Sequence, residues 1–157
     1  MQTLKAEPLG EAAFAPFGEV LTPPGSPGRT YYSGALASLR PGAAPSLSLT
    51  RVEVATALPH EARRMERHEF SSQSFVPLGD VPFLVMVAPD APSGGPDLAE
   101  ARAFVASGGV GVTYGANVWH HPLSVLAAPA SFAVVMWLDG GPTDEEFVDI
   151  EPRLVEA

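Results

Sequence analysis

Prolines and glycines interrupt this chain so often that its apolar residues are confined to short runs, such as FLVMV at residues 83–87 and SFAVVMWL at residues 131–138. Proline cannot donate a ladder hydrogen bond and glycine supplies turn conformations, so this punctuation allows short strands joined by tight turns and little else. The 17 prolines and 15 glycines are scattered between the apolar runs and never gather into one low-complexity tract, which argues against disorder. An apolar content of 46% over 157 residues is ample for one packed core. The expectation is a single domain over residues 1–157, dominated by β-structure as a sandwich or barrel, with one or two short helices.

Taken in order, residues 11–17 suit a short helix stopped by Gly18, and residues 22–29, TPPGSPGR, suit a loop. Short strands are expected at residues 31–32, 36–39 and 46–54, with Arg51 inside the last of these alternating runs. The charged stretch EARRMER at residues 61–67 fits either a turn of helix or an exposed strand edge. Residues 75–77 and 83–87 read as a β-hairpin turning at Gly79 and Asp80. Residues 97–106, DLAEARAFVA, read as the clearest helix, since Asp97 can cap it and Glu100 stands at capping-box spacing. Strands at 110–114 and 118–121 are separated by a Gly-Ala-Asn sequence suited to positive φ, and 124–127 and 131–138 follow as strands, the latter central. The acidic tail beyond Asp139 reads as a solvated face.

Several functions are excluded or disfavoured by charge and residue usage. Eighteen acidic against nine basic side chains give a net charge of −9, which repels phosphate backbones and leaves no basic stripe for nucleic acid. The absence of cysteine removes disulfides, thiolate nucleophiles and Cys-rich metal sites. No apolar run reaches membrane-spanning length and the first residues lack a signal-peptide core, so a cytoplasmic protein without membrane contact is expected.

The polar groups with chemical potential gather ahead of the apolar strands. Glu66, His68 and Gln73 stand just before residues 75–87, and His120 ends a later strand-like run. Five positions is an odd step in an alternating strand, so His68 and Gln73 share a face only if the chain bends near Ser71 and Ser72. Arg67 and His121, each beside a candidate residue, should face the opposite way. Glu66, then His68, then a further polar donor and a distant histidine is the order of donors in cupin barrels.

The segments MERHEFSSQSFVPLGDVPFLVMVAP, PDLAEARAFVASGGVGVTY, NVWHHPL and SFAVVMWLDGG resemble the ureidoglycolate lyase family, a cupin-like group of the allantoin degradation pathway. The resemblance covers roughly residues 60–141, with a weaker echo in LGEAAFAPFGEVL near the start. It implies a cupin-like barrel or jelly roll, and cleavage of ureidoglycolate to glyoxylate and urea as part of purine catabolism. It also implies a homodimer acting on a small molecule.

Against the general cupin pattern, Glu66 stands for a histidine and Gln73 for a glutamate, so two histidines and two weaker donors remain. Glu66, His68, Gln73 and His120 are therefore the candidate catalytic residues and also the candidate ligands of a divalent ion such as nickel, manganese or zinc. Breaking the C–N bond needs a base for the hydroxyl proton and an acid for the ureido nitrogen, and His68 and His120 have that range. Glu66 is open as base, metal ligand or orienting group. Arg51 is the candidate partner for the substrate carboxylate, Gln73 and Asn117 for the ureido amide, and Tyr114 and Trp119 for the pocket wall.

The family carries an asparagine-glycine pair and a Tyr-His-Asp-like stretch where this chain reads YYSGALASLRPGAAP at residues 31–45. Two alternatives follow: a cupin enzyme for another small ureido or hydroxy acid, and a non-catalytic binding cupin.

Overall fold

The computed structural model describes residues 1–141 and 144–157. The chain forms β1 (Gln2–Pro8), a short helix α1 (Glu11–Phe14), β2 (Gly18–Leu21), β3 (Ala44–Val52), β4 (His60–His68), β5 (Gln73–Pro77) and β6 (Phe83–Ala88). It continues with β7 (Arg102–Ala106), β8 (Gly111–Tyr114), β9 (Trp119–His120), β10 (Ser124–Val125), β11 (Ala130–Leu138) and β12 (Glu145–Glu156).

These strands build two sheets. One runs β10-β6-β7-β1-β12-β4-β9, and because β9 also pairs with β6 it closes into a six-strand ring with β10 attached. The other runs β2-β8-β5-β11-β3. The all-β, cupin-like architecture expected from the sequence is the one formed. Strand alternation sorts the apolar side chains into two layers. Leu84, Met86, Ala103, Ala6, Val155, Met65 and Trp119 fill the ring from its own strands. Phe83, Val85, Val87 and Phe104 point the other way, onto Phe75, Val112, Tyr114, Phe132 and Val134 of the five-stranded sheet. Phe132 meets Phe83 edge-on at 5.2 Å between ring centroids, a favoured aromatic geometry. The site described below lies at one end of this inter-sheet layer.

Close backbone approach dictates one glycine. Gly18 opens β2 opposite Tyr114, and a Cβ there would lie 1.8 Å from the Thr113 carbonyl oxygen. The short helix before it forms as expected, as do the loop at residues 22–29 and the positive-φ turn, where Asn117 has φ 67°. β11 is central in its sheet, between β5 and β3.

Four expectations are corrected. Residues 97–106 are not helical: Asp97 caps only a turn, its Oδ1 accepting from Ala99 N–H at 3.1 Å, and residues 102–106 become β7 between β6 and β1. Burial between two strands outweighs a local helical preference. Residues 75–87 are not a hairpin, because β5 joins β8 and β11 while β6 joins β7, β9 and β10. β6 is apolar and buried at every position, so burial between β7, β9 and β10 places it and pairing with the strand before it does not. Residues 31–32 and 36–39 form no strand beyond a bridge from Ser38 to Ser71. The acidic tail is not merely a solvated face: β12 pairs with both β4 and β1, and Asp144 is buried. The open choice for residues 61–67 resolves as strand β4, lying between β12 and β9 instead of at an edge.

Candidate active site

The site begins with a change of sheet. β4 ends at His68, residues 69–72 turn, and β5 begins at Gln73 in the other sheet. The bend expected at Ser71 and Ser72 is present, and it lets residues five apart share one face. Residues 37–39 strap this turn through Leu39 N–H to Phe70 O at 2.7 Å and Ser72 N–H to Ala37 O at 2.9 Å. Opposite, β9 sets His120 directly across from Glu66. Trp119 and Met65, one position back on each strand, point into the ring core, so Glu66 and His120 turn toward the five-stranded sheet.

All four catalytic candidates are buried and mutually close. His120 Nε2 lies 3.2 Å from Glu66 Oε1 and 3.0 Å from Gln73 Oε1, while His120 Nδ1 meets the Val118 carbonyl oxygen at 3.0 Å. Since a carbonyl can only accept, Nδ1 carries a proton there. Tyr114 stacks on the His120 ring at 4.1 Å between centroids and 8° between planes, and the His68 ring lies 5.8 Å from it at 26°. Glu66, His68 and His120 each offer one ligand atom within 4.8 Å of the others. Both ring nitrogens of His68 lack a hydrogen-bond partner despite burial, which suits an imidazole free to bind a proton or an ion.

Burial sets the proton affinities. Desolvation and then the neighbouring His120 lower the His68 pKa, against opposing pulls from Glu66 and Asp144, so His68 is neutral near pH 7. Burial and then the Glu66 charge raise the Tyr114 pKa, so its phenol stays protonated.

The remaining candidates are distributed differently. Tyr114 walls the cluster. Trp119 lies in the ring core, its Nε1–H donating to Asp90 Oδ1 at 2.8 Å beneath the Arg67 guanidinium. Asn117 accepts from Arg67 Nη1 at 2.8 Å, on the face away from His68 and Glu66. Arg51 is not brought to the cluster: it lies exposed on β3, paired with Glu53. Arg67 and His121 do face away, the latter meeting His60 Nε2 to Nε2 at 3.3 Å. An apolar cavity of about 340 Å³ lies elsewhere, on the outer face of the five-stranded sheet among Leu21, Pro23, Tyr32, Leu36, Val76 and Val135.

Sequence reasoning missed a second polar group beside His68. Asp144 Oδ2 accepts from Ser71 Oγ at 2.7 Å and lies 3.8 Å from His68 Nδ1, and Arg40 Nη2 is 3.3 Å from Asp144 Oδ1. Asp144 carries no motif, and within its acidic run only burial singles it out.

Similarity to known proteins extends over almost the whole chain. A family model described as ureidoglycolate lyase matches residues 1–156. A protein of Azotobacter vinelandii named ureidoglycolate lyase is 40% identical over 164 aligned positions, covering 99% of this chain and 98% of its own. Proteins of the same name from Burkholderia mallei, 44% identical over 144 positions, and Brucella ovis, 41% over 143, each cover 86% of this chain and 82% and 83% of their own lengths.

Proposed function

This chain belongs to the ureidoglycolate lyase family, and from that premise we propose that the buried Glu66, His68, Gln73 and His120 cluster performs the cleavage. The enzyme converts ureidoglycolate to glyoxylate and urea. Loss of the hydroxyl proton lets the oxygen become the aldehyde carbonyl as the C–N bond breaks, and the electron pair leaves on the ureido nitrogen, which takes up a proton. The observation that carries the assignment is the buried Glu66, His120 and Gln73 contact at 3.0–3.2 Å beside a His68 whose ring nitrogens have no hydrogen-bond partner.

His68, neutral by burial, acts as the base for the hydroxyl proton. His120, with Nε2 aimed at Glu66 and Gln73 and its ring held by Tyr114, delivers the proton to the leaving nitrogen. The Glu66 carboxylate, 3.2 Å from Nε2, accepts from the proton that His120 carries and holds it in place for that transfer. The Gln73 amide and the Tyr114 phenol supply donor and acceptor atoms for the ureido group.

The donor set also fits a divalent ion. Glu66, His68 and His120, with Gln73 as the weaker fourth ligand, would hold nickel, manganese or zinc. Such an ion would supply Lewis acidity toward the substrate hydroxyl. A homodimer is proposed as well, because β3 presents Leu47 and Leu49 to solvent at 73% and 71% exposure, an apolar outer face suited to a second copy. Light scattering at micromolar concentration should return twice the chain mass; a monomer would remove the proposal. Among the described residues no helix is long and apolar enough to cross a membrane.

The deciding experiment incubates chelator-treated protein with ureidoglycolate, with and without added nickel or manganese, and measures glyoxylate and urea together. Equimolar products are expected, with His120→Ala inactive but folded. Ammonia in place of urea would mean hydrolysis of the ureido group, and an undiminished His120→Ala rate would remove this cluster from the chemistry.

A further inference from the structure

Seven buried side-chain nitrogens and oxygens among the described residues lack hydrogen-bond partners, and five of them belong to three neighbouring side chains. They are Nε and Nη2 of Arg40, both ring nitrogens of His68, and Oδ1 of Asp144. Buried polar groups are ordinarily paired, so such a concentration marks a place kept polar for a reason other than stability. Asp144 is at its centre. It lies just before β12, whose first residue Glu145 is registered opposite His68, and its Oδ2 comes within 3.8 Å of His68 Nδ1.

The carboxylate is held from two sides. Ser71 Oγ donates to Oδ2 at 2.7 Å, and Arg40 faces Oδ1 from 3.3 Å while its Nη1 bonds Asp139. Oδ2, aimed by Ser71, is also the atom 3.8 Å from His68 Nδ1. Arg40 and Ser71 thus give the buried carboxylate a cation on one oxygen and a hydroxyl donor on the other. A charged acceptor beside one imidazole nitrogen draws the ring proton to that nitrogen and fixes the ring plane.

We propose that Asp144, anchored by Ser71 and Arg40, is a positioning residue for His68: its carboxylate, 3.8 Å from Nδ1, draws the ring proton to that nitrogen and so leaves the Nε2 lone pair for the Glu66 and His120 side. The proposal rests on the reading that His68 acts in the cleavage. Asp144 itself touches no reacting atom. Its removal therefore costs turnover and leaves substrate affinity almost unchanged.

The test combines kinetics with a direct view of the ring. In Asp144→Asn, Arg40 draws the amide oxygen and turns the NH₂ toward His68, which favours the wrong tautomer. The expected result is a kcat lowered about 10–100-fold, the range for residues that orient a working histidine, with KM within about threefold. Ser71→Ala, which keeps the charge but loosens its aim, should lower kcat by less, and Asp144→Glu should recover part of the Asn loss. Long-range ¹H–¹⁵N NMR of metal-free wild-type protein at pH 8 should show the His68 proton on Nδ1, and in folded Asp144→Asn on Nε2. A wild-type ring protonated on Nε2, or a folded Asp144→Asn with kcat within threefold of wild type, overturns the proposal. The wild-type spectrum decides even where a variant fails to fold. His68→Ala separates the two layers of argument: a wild-type rate there would sink the role of His68 itself, whatever Asp144 does.

Discussion

Glu66→Gln separates charge from structure at the centre of the cluster. His120 Nε2 faces two acceptors, Glu66 Oε1 at 3.2 Å and Gln73 Oε1 at 3.0 Å. Glutamine keeps the volume of glutamate and one carbonyl oxygen, so the substitution removes a negative charge while His120 still has Gln73 to bond. One partly replaced hydrogen bond is worth about 1 kcal/mol, which for a chain of this size lowers Tm by about 2–4 °C. The loss of rate should be far larger. A positioned acid–base system contributes about 10²–10⁴-fold, and at 1.36 kcal/mol per decade the barrier rises by about 3–5 kcal/mol. The assay follows glyoxylate by reductase-coupled NADH oxidation, with urea measured in the same sample and Tm by calorimetry. A kcat within threefold of wild type at an unchanged Tm would refute the reasoning, since the buried charge would then do nothing for the reaction. A large fall in Tm with no intrinsic loss of rate in the folded fraction would make Glu66 a structural residue only.

Acid should weaken the fold. His60, His68 and His121 all have folded pKa values lowered chiefly by burial, His121 to about 4 from 6.5. Stability is therefore complete above about pH 6.5 and falls as pH drops toward 4, because the unfolded chain takes up protons that the native one refuses. For His121 alone the loss approaches about 3 kcal/mol, and His121→Gln should flatten the acid limb of a denaturant series; an unchanged limb would mean the ring is hydrated in solution. Phe132→Ala removes a fully buried ring set edge-on against Phe83 and Phe75; chemical denaturation should show about 3–5 kcal/mol lost, and a loss under 1 kcal/mol would contradict the packing. Gly18→Ala would drive a Cβ into the Thr113 carbonyl, with an expected cost of at least about 2 kcal/mol; wild-type stability would show that β2 can move off β8.

Much of the site was legible in order and spacing. Glu66, His68, Gln73 and His120 were recognisable as donors, and parity placed Arg67 and His121 on the far side, because side-chain direction in a strand is a local property. Applied consistently, that parity would also have excluded Trp119, which adjoins His120. Asn117 belonged to the site by motif alone, and its own positive-φ turn points its side chain to Arg67.

What the sequence determined by itself was the number and shortness of the strands, through proline and glycine, and the direction each side chain takes from its own backbone. Tertiary structure decided which strands are neighbours: β5 and β6 adjoin in sequence yet lie in different sheets, and residues 102–106 are a strand because β1 and β6 leave room only for one. It also decided which charges are buried. Arg51 and Arg40 are alike as letters, as are Asp144 and Asp149, but β3 holds Arg51 in solvent while Arg40 meets Asp144, far along the chain, beside His68. Burial of a charge depends on what covers it, and that cover is assembled from segments far apart in sequence.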